Sequence, residues 1–404
     1  MPDALLVLNC GSSSLRFALL EQQHDGTFAR RHRGEVSGLG HAPHFAVQAA
    51  DGASPVQQRS LARGGDAHAA ALDAVLGWLD QLPEAARLVA AGHRIVHGGA
   101  TQHAPAVLDA ALLARLEALV PLAPLHQPQA LAAVKRLADL RPGLLQVACF
   151  DTAFHRTMPW AEQRLALPQG LHAQGVQRFG FHGLSCEFIA GELVRLWGER
   201  ARGRIVIAHL GQGSSLCALH GLASQATTMG FTPLDGVPMA TRCGAIDAAV
   251  PLYLLEQGMD VAQVRRLLHE QSGLLGLSGI SGDMRTLLAD ARAAAADAVQ
   301  YYCHHVARAL ASMAAAMGGL DAIVFTGGIG QNAPPVRAGI LERAAWLGVQ
   351  VDAQANATAI VQRGAVCITG ADSRVPAWVL ATDEEAVIGT HTASACLQRP
   401  EATR

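Results

Sequence analysis

The chain has eight cysteines but no Cys-x-x-Cys pair. Thiols scattered in this way suit small buried hydrophobes in a reducing compartment better than a disulfide framework or a zinc site. Cys243 is the partial exception, because the neighbouring Arg242 can lower a thiol pKa. No apolar run approaches the ~20 residues that a membrane span needs. Runs such as Ile205 to Ala208 and Ala322 to Phe325 have the length of strands. The opening Met1-Pro2-Asp3 lacks the basic segment and cleavage site of a signal peptide. Charge is scarce and balanced, with 16% charged residues and a net charge of −2, which offers nucleic acid little to bind. Histidines stand at positions 93, 97, 126, 155, 182 and 209, but His93 and His97 lack the intervening glutamate of His-Glu-x-x-His, so a zinc hydrolase is not supported. Two nucleotide signatures are also missing: a Gly-x-x-x-x-Gly-Lys-[Ser/Thr] loop, and a Gly-x-Gly-x-x-Gly that opens a helix. These absences point to a cytosolic enzyme with neither nucleic-acid nor membrane partners.

Half of the residues are hydrophobic, and 404 residues predict two domains of roughly 200 each. The first twenty residues read as a hairpin: an apolar run from Ala4 to Asn9, a Gly/Ser turn from Cys10 to Ser14, and an apolar run from Leu15 to Leu20. The same plan recurs as Arg204 to His209, Leu210 to Ser214 and Ser215 to His220. At an ungapped offset of 200, Gly11, Ser14, Ala18 and Leu19 fall opposite Gly211, Ser214, Ala218 and Leu219, which suggests an internal duplication. Helical segments are expected at Ala67 to Leu79, Asp109 to Leu119, Gln129 to Leu140, Ala248 to Gln257 and Val261 to Glu270. One long helix is expected from Arg285 to Met317, and loops at Thr228 to Gly244 and Gly273 to Gly282. Strands at Leu144 to Phe150, Asp321 to Thr326 and Ala377 to Thr382 complete a mixed α/β pattern with a cleft between two domains.

Three strand-to-glycine turns carry the first chemical signal: Asn9 to Ser14, His209 to Ser215, and Gly327 to Asn332. Glycines let backbone N–H groups approach anionic oxygens closely, and serines add short donors. Each turn alone is ordinary, but three together argue for a nucleotide held by phosphate loops on hairpins, as in an actin-like cleft.

Ten ordered segments resemble the acetate and propionate kinase family across nearly the whole chain. They are Val7 to Phe17, His93 to Gly99, Ala123 to His126, Phe150 to Pro159, Phe179 to Gly183, His209 to Ser214, Met229 to Arg242, Ser281 to Arg285, Thr326 to Asn332 and Thr382 to Glu385. The resemblance implies the acetate and sugar kinase, Hsc70 and actin fold, with two duplicated domains, and a homodimer. The domains would be 1–150, completed by the C-terminal helix at about 386–404, and 151–385. It implies phosphoryl exchange between ATP/ADP and acetate/acetyl phosphate with magnesium, for which manganese can substitute. By it, Asp151, His182 and Arg242 are catalytic, Arg94 binds the substrate carboxylate, and Val96, Leu125, Phe181 and Pro233 surround its methyl group. Arg16, His209, Leu210, Gly211, Gln212, Gly213, Asp283, Met284, Arg285, Gly328, Ile329, Gly330, Gln331 and Asn332 contact the nucleotide, and Asn9 and Glu384 hold the metal.

Physical chemistry agrees with these roles, since phosphoryl transfer needs cations placed around three charged equatorial oxygens. Arginines supply that charge bidentately. A general-base role for Asp151 does not fit, because a carboxylic acid with a pKa near ~4.5 is already ionised at neutral pH. Asp151 is expected instead to orient Arg94 or metal-bound water. Set against this, buried Arg–Asp pairs are often structural. The chain also departs from the family, with Arg16, Ala226, Ala240, Ala245 and Ala248 where Lys, Asp, Gly, Asp and Pro are usual, and with Gln212 and Gln331 in place of Asn and Glu. The competing readings are a propionate or other short-chain carboxylate kinase, a nucleotide-driven binding protein of the same fold, and a pseudo-kinase.

Overall fold

The computed structural model describes residues 2–11, 13–50, 55–62, 66–82, 87–361 and 364–398. Ser12 of the first turn and 399–404 of the expected C-terminal helix lie outside them. The chain divides into two compact units, Met1–Ala153 with Asp383–Arg404, and Phe154–Thr382. These boundaries place Asp151 in the first unit, whereas the expected division at 150/151 gave it to the second.

In the first unit, among the described residues, eight strands form one sheet in the order β5-β4-β3-β2-β1-β6-β8-β7. They are β1 (Asp3–Cys10), β2 (Leu15–Gln22), β3 (Phe28–Ser37), β4 (His44–Ala49), β5 (Pro55–Ser60), β6 (Arg87–Ile95), β7 (Ala106–Val107) and β8 (Leu145–Phe150). β1 runs antiparallel to β2 but parallel to β6, which is in turn parallel to β8. Alternate residues Leu6 and Leu8 of β1 and Leu15, Phe17 and Leu19 of β2 face one core with the helices Ala67–Leu79 and Gln127–Leu140. Asp66 and Asp109 cap the helices that follow them by accepting backbone N–H bonds.

The second unit repeats the plan, among the described residues, with six strands, β9 (Ile205–Leu210), β10 (Ser214–His220), β11 (Ala223–Thr227), β12 (Ala322–Thr326), β13 (Val366–Cys367) and β14 (Ala377–Val379), in the order β11-β10-β9-β12-β14-β13. Again an antiparallel meander is continued by parallel strands on the other side of its first strand. The duplication is thus one of topology, and the ungapped offset of 200 slips by one residue at the turn. Cys10 pairs with Leu15, but Leu210 pairs with Ser214, so the second tip is one residue shorter.

Each sheet is backed by the helix that follows the other sheet in the chain. Helix Gly183–Trp197, which comes after β8, packs Cys186, Ile189 and Leu193 onto Ile205, Ile207, Cys217 and Leu219 of the second sheet. Helix Glu384–Leu397, which comes after β14, belongs to the first unit. It lies so near β6 that a Cβ on Gly92 would sit 2.1 Å from Thr392 Oγ1 and 2.7 Å from Ile388 Cγ2.

The long helix expected from Arg285 to Met317 is two, Met284–Ala289 and Ala293–Ala316. The Asp290 carboxylate takes the Arg292 backbone N–H at 2.9 Å and its guanidinium at 2.6 Å, a local bond that competes with the helical ladder. The expected loop at 273–282 contains the short helix Gly273–Ser278. Among the described residues no helix is long and apolar enough to cross a membrane.

The approach at Gly92 gives a paired expectation. Gly92→Ala overpacks the contact with the C-terminal helix and lowers stability by roughly 1–3 kcal/mol. Gly77→Ala has nothing within 4 Å of the added Cβ in helix Ala67–Leu79 and raises stability by roughly 0.5–1 kcal/mol. Urea midpoints measure both, and equal shifts would contradict the packing described.

Candidate active site

In the first unit the chemistry gathers where parallel strands end, the edge at which open α/β sheets bind ligands. Asn9 lies near the end of β1, Arg94 near the end of β6, and Asp151 directly follows β8. Arg94 Nε and Nη2 donate to the two Asp151 carboxylate oxygens at 2.9 and 2.6 Å, a side-on bidentate pair. Arg94 Nη1 donates to Asn9 Oδ1 at 3.3 Å and stands 3.8 Å from Glu384 Oε2. Asn9 Nδ2 in turn donates to Glu384 Oε2 at 2.9 Å and to Glu385 Oε1 at 2.8 Å.

The Asp151 side chain is only 1% exposed. Burial works against the Arg94 charge, but Asp151, Glu384 and Glu385 outweigh it and leave the guanidinium more firmly protonated than usual. Burial, and then the like charge of Glu384, raise the Glu385 carboxyl above its ordinary range, although Asn9 and Arg16 pull the other way. Arg16, on β2, is largely exposed and lies 3.6 Å from Glu35.

These groups suit a magnesium ion in type. They are hard oxygen donors, with two neighbouring carboxylates whose repulsion a cation relieves, and the Asn9 carbonyl oxygen beside them. Among the described residues no cluster of three or more His, Cys, Asp or Glu is arranged to hold a metal. Magnesium keeps several waters and takes one or two carboxylates plus phosphate oxygens, a share that two glutamates can supply.

In the second unit, His209 to Gly213 turns off the end of β9, and helix Gly327–Asn332 starts directly after β12, where a bare turn was expected. The two segments touch, because a Cβ on Gly327, whose φ is +77°, would meet the Leu210 carbonyl at 2.6 Å. His182 precedes helix Gly183–Trp197 in the left-handed conformation, φ 58°, unusual for a residue with a side chain. Its Nδ1 is 2.9 Å from Ser215 Oγ, and its ring stacks on His209 at 4.3 Å. His209 Nδ1 lies 2.8 Å from Ser185 Oγ. Gly213 faces two basic side chains, since a Cβ there would lie 2.9 Å from Arg242 Nη2 and 3.2 Å from His182 Nε2. Arg242 Nη1 donates to the Pro233 carbonyl at 2.7 Å. Thus His182, His209, Gly213, Pro233 and Arg242 come together.

Other expected nucleotide residues stand differently. The side chains of Leu210 and Met284 are buried in the core, which leaves only their backbone for a ligand. Asp283 and Arg285 pair with each other at 2.7 Å, with Arg285 88% exposed. Gly328 and Asn332 are exposed, Ile329 and Gln331 half-buried, and Gly330 buried. Gln212 accepts the Ala240 backbone N–H at 3.2 Å. The added methyl of Ala240 faces Gly282, where a Cβ would come within 3.4 Å of it, so a glycine opposite leaves it room. Of the methyl-pocket residues, Val96 and Leu125 lie in the first unit and Phe181 and Pro233 in the second. Burial raises the Cys243 thiol pKa, against the reactivity that Arg242 suggested.

Sequence reasoning passed over Arg337, which is fully buried and donates from Nη1 to the carbonyls of Gly330 and Gln331 at 2.9 and 2.8 Å. The available signal was an arginine set on the apolar stripe of a helix, with Val336, Ile340 and Leu341 buried beside it.

Residues 4–390 match the Acetokinase family. An acetate kinase of Rhodopseudomonas palustris is 48% identical over 394 residues, covering 97% of this chain and 98% of its own length. One from Nitrobacter hamburgensis is 44% identical over 400 residues, covering 98% and 97%. Among solved structures, a propionate kinase of Francisella tularensis superposes with a TM-score of 0.87 at 33% identity, covering 97% of this chain and 99% of its own. The acetate kinase of Porphyromonas gingivalis gives 0.82 at 32%, covering 98% and 100%.

Two substitutions separate the roles of the two clusters. The catalytic role expected for Arg242 predicts that Arg242→Ala lowers kcat of phosphoryl transfer at least ~100-fold with ATP binding nearly retained, as for a charge that acts mainly on the transition state. Arg94→Ala raises the KM for the carboxylate far more than that for ATP. Steady-state kinetics with each substrate varied measure both, and equal KM shifts would remove Arg94 from the carboxylate site.

Proposed function

This chain belongs to the acetokinase family, and on that premise we propose that it transfers the γ-phosphoryl group of ATP to acetate, giving acetyl phosphate and ADP reversibly. Its fold is that of the acetate and propionate kinases, and the enzyme is a phosphotransferase with a carboxyl group as acceptor. The observation that carries the reading is the attitude of Arg94. Asp151 occupies the Nε/Nη2 side of its guanidinium and fixes the plane, so the Nη1/Nη2 end, where Nη1 makes only the longer 3.3 Å bond to Asn9 Oδ1, is the edge we assign to the two oxygens of a substrate carboxylate.

Acetate bound there is already ionised and needs no base. One of its oxygens attacks the γ-phosphorus, the new O–P bond forms as the bond to the ADP oxygen breaks, and the electron pair leaves on ADP. Arg242 and His182 place positive charge and hydrogen-bond donors around the three equatorial oxygens of the transferring group. Asp151 holds Arg94 in orientation. Asn9 and Glu384 would hold magnesium, or manganese in its place, which supplies neutralisation of the nucleotide's phosphates. The direct test is formation of acetyl hydroxamate from acetate, ATP and magnesium trapped with hydroxylamine. A nucleotide-binding pseudo-kinase would bind ATP and form none. We place the reaction in the cytosol, which supplies both substrates.

We also read the partner as a second copy of this chain. Helix Ala249–Glu256 has no buried residue, with Leu252 60% and Tyr253 58% exposed, and Val261 begins the next helix 62% exposed. Clustered apolar exposure of this kind marks an interface, and a two-fold dimer covers it with itself. Sedimentation equilibrium should give a dimer that Leu252→Glu converts to a monomer. A monomer in the unaltered protein would refute the assignment.

The acyl group is set by stiff residues. Val96, two positions beyond Arg94, is 3% exposed, and Phe181, next to His182, is 1% exposed. Val96, being β-branched, has little rotamer freedom with which to make room. Propionate's extra methylene therefore meets overpacking of ~1–3 kcal/mol against a burial gain of ~0.8 kcal/mol. A hydrophobic pocket discriminates one methylene by at most ~10–200-fold, so propionate stays a poor substrate. The measurement is kcat/KM for acetate, propionate and butyrate, with Val96→Ala expected to narrow the gap. A higher value for propionate would make this a propionate kinase.

A further inference from the structure

Arg337 has no exposed surface and makes no ion pair with a carboxylate among the described residues. An isolated cation taken out of water costs far more than a typical protein's margin of stability unless strong dipoles replace the lost solvent. Here backbone and amide oxygens do so. Nε donates to Asn356 Oδ1 at 2.8 Å and Nη2 to the Asn356 carbonyl at 2.7 Å. Nη1 donates to the carbonyls of Gly330 at 2.9 Å and Gln331 at 2.8 Å. Four of the five N–H groups of a guanidinium are thereby used. Burial pulls the Arg337 pKa down to about 10, which still leaves it charged at neutral pH.

The two ends of this fork differ. Asn356 belongs to helix Ala353–Ala357 and is itself fixed, with Nδ2 donating to the Pro334 carbonyl at 2.9 Å. Gly330 and Gln331 belong to the glycine segment that follows β12, and their carbonyls lie in the last turn of helix Gly327–Asn332. A cation at that end complements the carbonyl dipoles. A segment with three glycines in six residues has little side-chain packing to fix its course, and backbone entropy works against a single conformation.

We propose that Arg337 is a positioning residue for the nucleotide, fixing the Gly328–Asn332 segment through its carbonyls without touching the ligand. The proposal rests on the reading above that this segment contacts ATP. An arginine fits the task better than a lysine, because its planar fork spans two fixed anchors on one side and two carbonyls on the other, whereas an ammonium is a single point charge.

The test compares Arg337→Lys and Arg337→Met with Gly328→Val in the full chain, reading KM for ATP, KM for acetate, kcat and thermal midpoint. Arg337→Lys is expected to raise the KM for ATP about 10-fold, with the KM for acetate changed by less than about 2-fold, and Arg337→Met to raise it further or fail to fold. Lysine keeps the charge and most of the volume, so it decides the matter where methionine does not fold. A lysine variant with a lowered midpoint but an unchanged KM for ATP makes Arg337 merely structural and overturns the proposal, as does an equal rise in both KM values. Gly328→Val judges the underlying reading separately, because nothing lies within 4 Å of a Cβ at that exposed position. If it leaves ATP binding unaltered, the segment does not contact the nucleotide and the proposal falls with that reading. If it weakens ATP binding while Arg337→Lys does not, only the role of Arg337 falls.

Discussion

A guanidinium that must stay charged while nearly surrounded by protein is the constraint on which the first unit depends. Arg94 needs a carboxylate in its plane, and Asp151 supplies one from the end of the neighbouring parallel strand. It needs further negative charge, and Glu384 and Glu385 supply it from the first turn of the C-terminal helix. That helix can deliver them only if it lies close to β6, and Gly92 has no side chain where Thr392 and Ile388 press against the strand. Asn9 connects the groups, accepting from the arginine with its carbonyl and donating to both glutamates with its amide. A single residue's charge state therefore draws together the ends of three strands and a helix from the far end of the sequence.

The second unit solves a related problem with dipoles and small residues. Gly213 leaves space for two basic side chains, and Gly327 lets one loop lie on the backbone of another. His182 accepts a left-handed backbone, and its hydrogen-bonding distance to Ser215 and its stack on His209 hold the ring in place. Such strain persists only where surrounding contacts over-determine it, and it gathers at functional sites. The same topology thus carries a tight network of opposite charges in one copy and a cluster of donor-bearing side chains against glycine turns in the other.

Much of this was legible in the sequence because it is local or periodic. The hairpins at residues 4–20 and 204–220 and the helices at Ala67–Leu79 and Val261–Glu270 follow from patterning over a few residues. What was not legible depended on distant partners. Nothing near Arg337 in the sequence announces Asn356, so a buried arginine passed as an ordinary helical one. The break at Asp290 was hidden because alanine-rich helix propensity runs on both sides of it, and one aspartate bonding locally overrode it. The one-residue slip between the hairpins was invisible to an ungapped comparison, since strand register is set by turn length and that differs.

The chain's departures from its family are best judged by what stands opposite each of them. Ala240 adds a methyl to the loop that carries Arg242, yet its carbonyl accepts from Leu275 at 3.0 Å, its N–H reaches Gln212, and Gly282 leaves the space that the methyl enters. Arg16 replaces a usual lysine on β2 and still opposes the Glu385 charge. Gln331 replaces a carboxylate, yet its contribution to the Arg337 fork is a backbone carbonyl that any residue supplies. In each case the interaction described runs through the backbone or through charge alone, and the substitution preserves it. At positions 94, 151, 182 and 242 the chain keeps the arginines, aspartate and histidine that the family resemblance implies. At Ala240, Arg16 and Gln331 the divergence leaves the described interactions in place, as a chain still selected for phosphoryl transfer rather than for nucleotide binding alone would require.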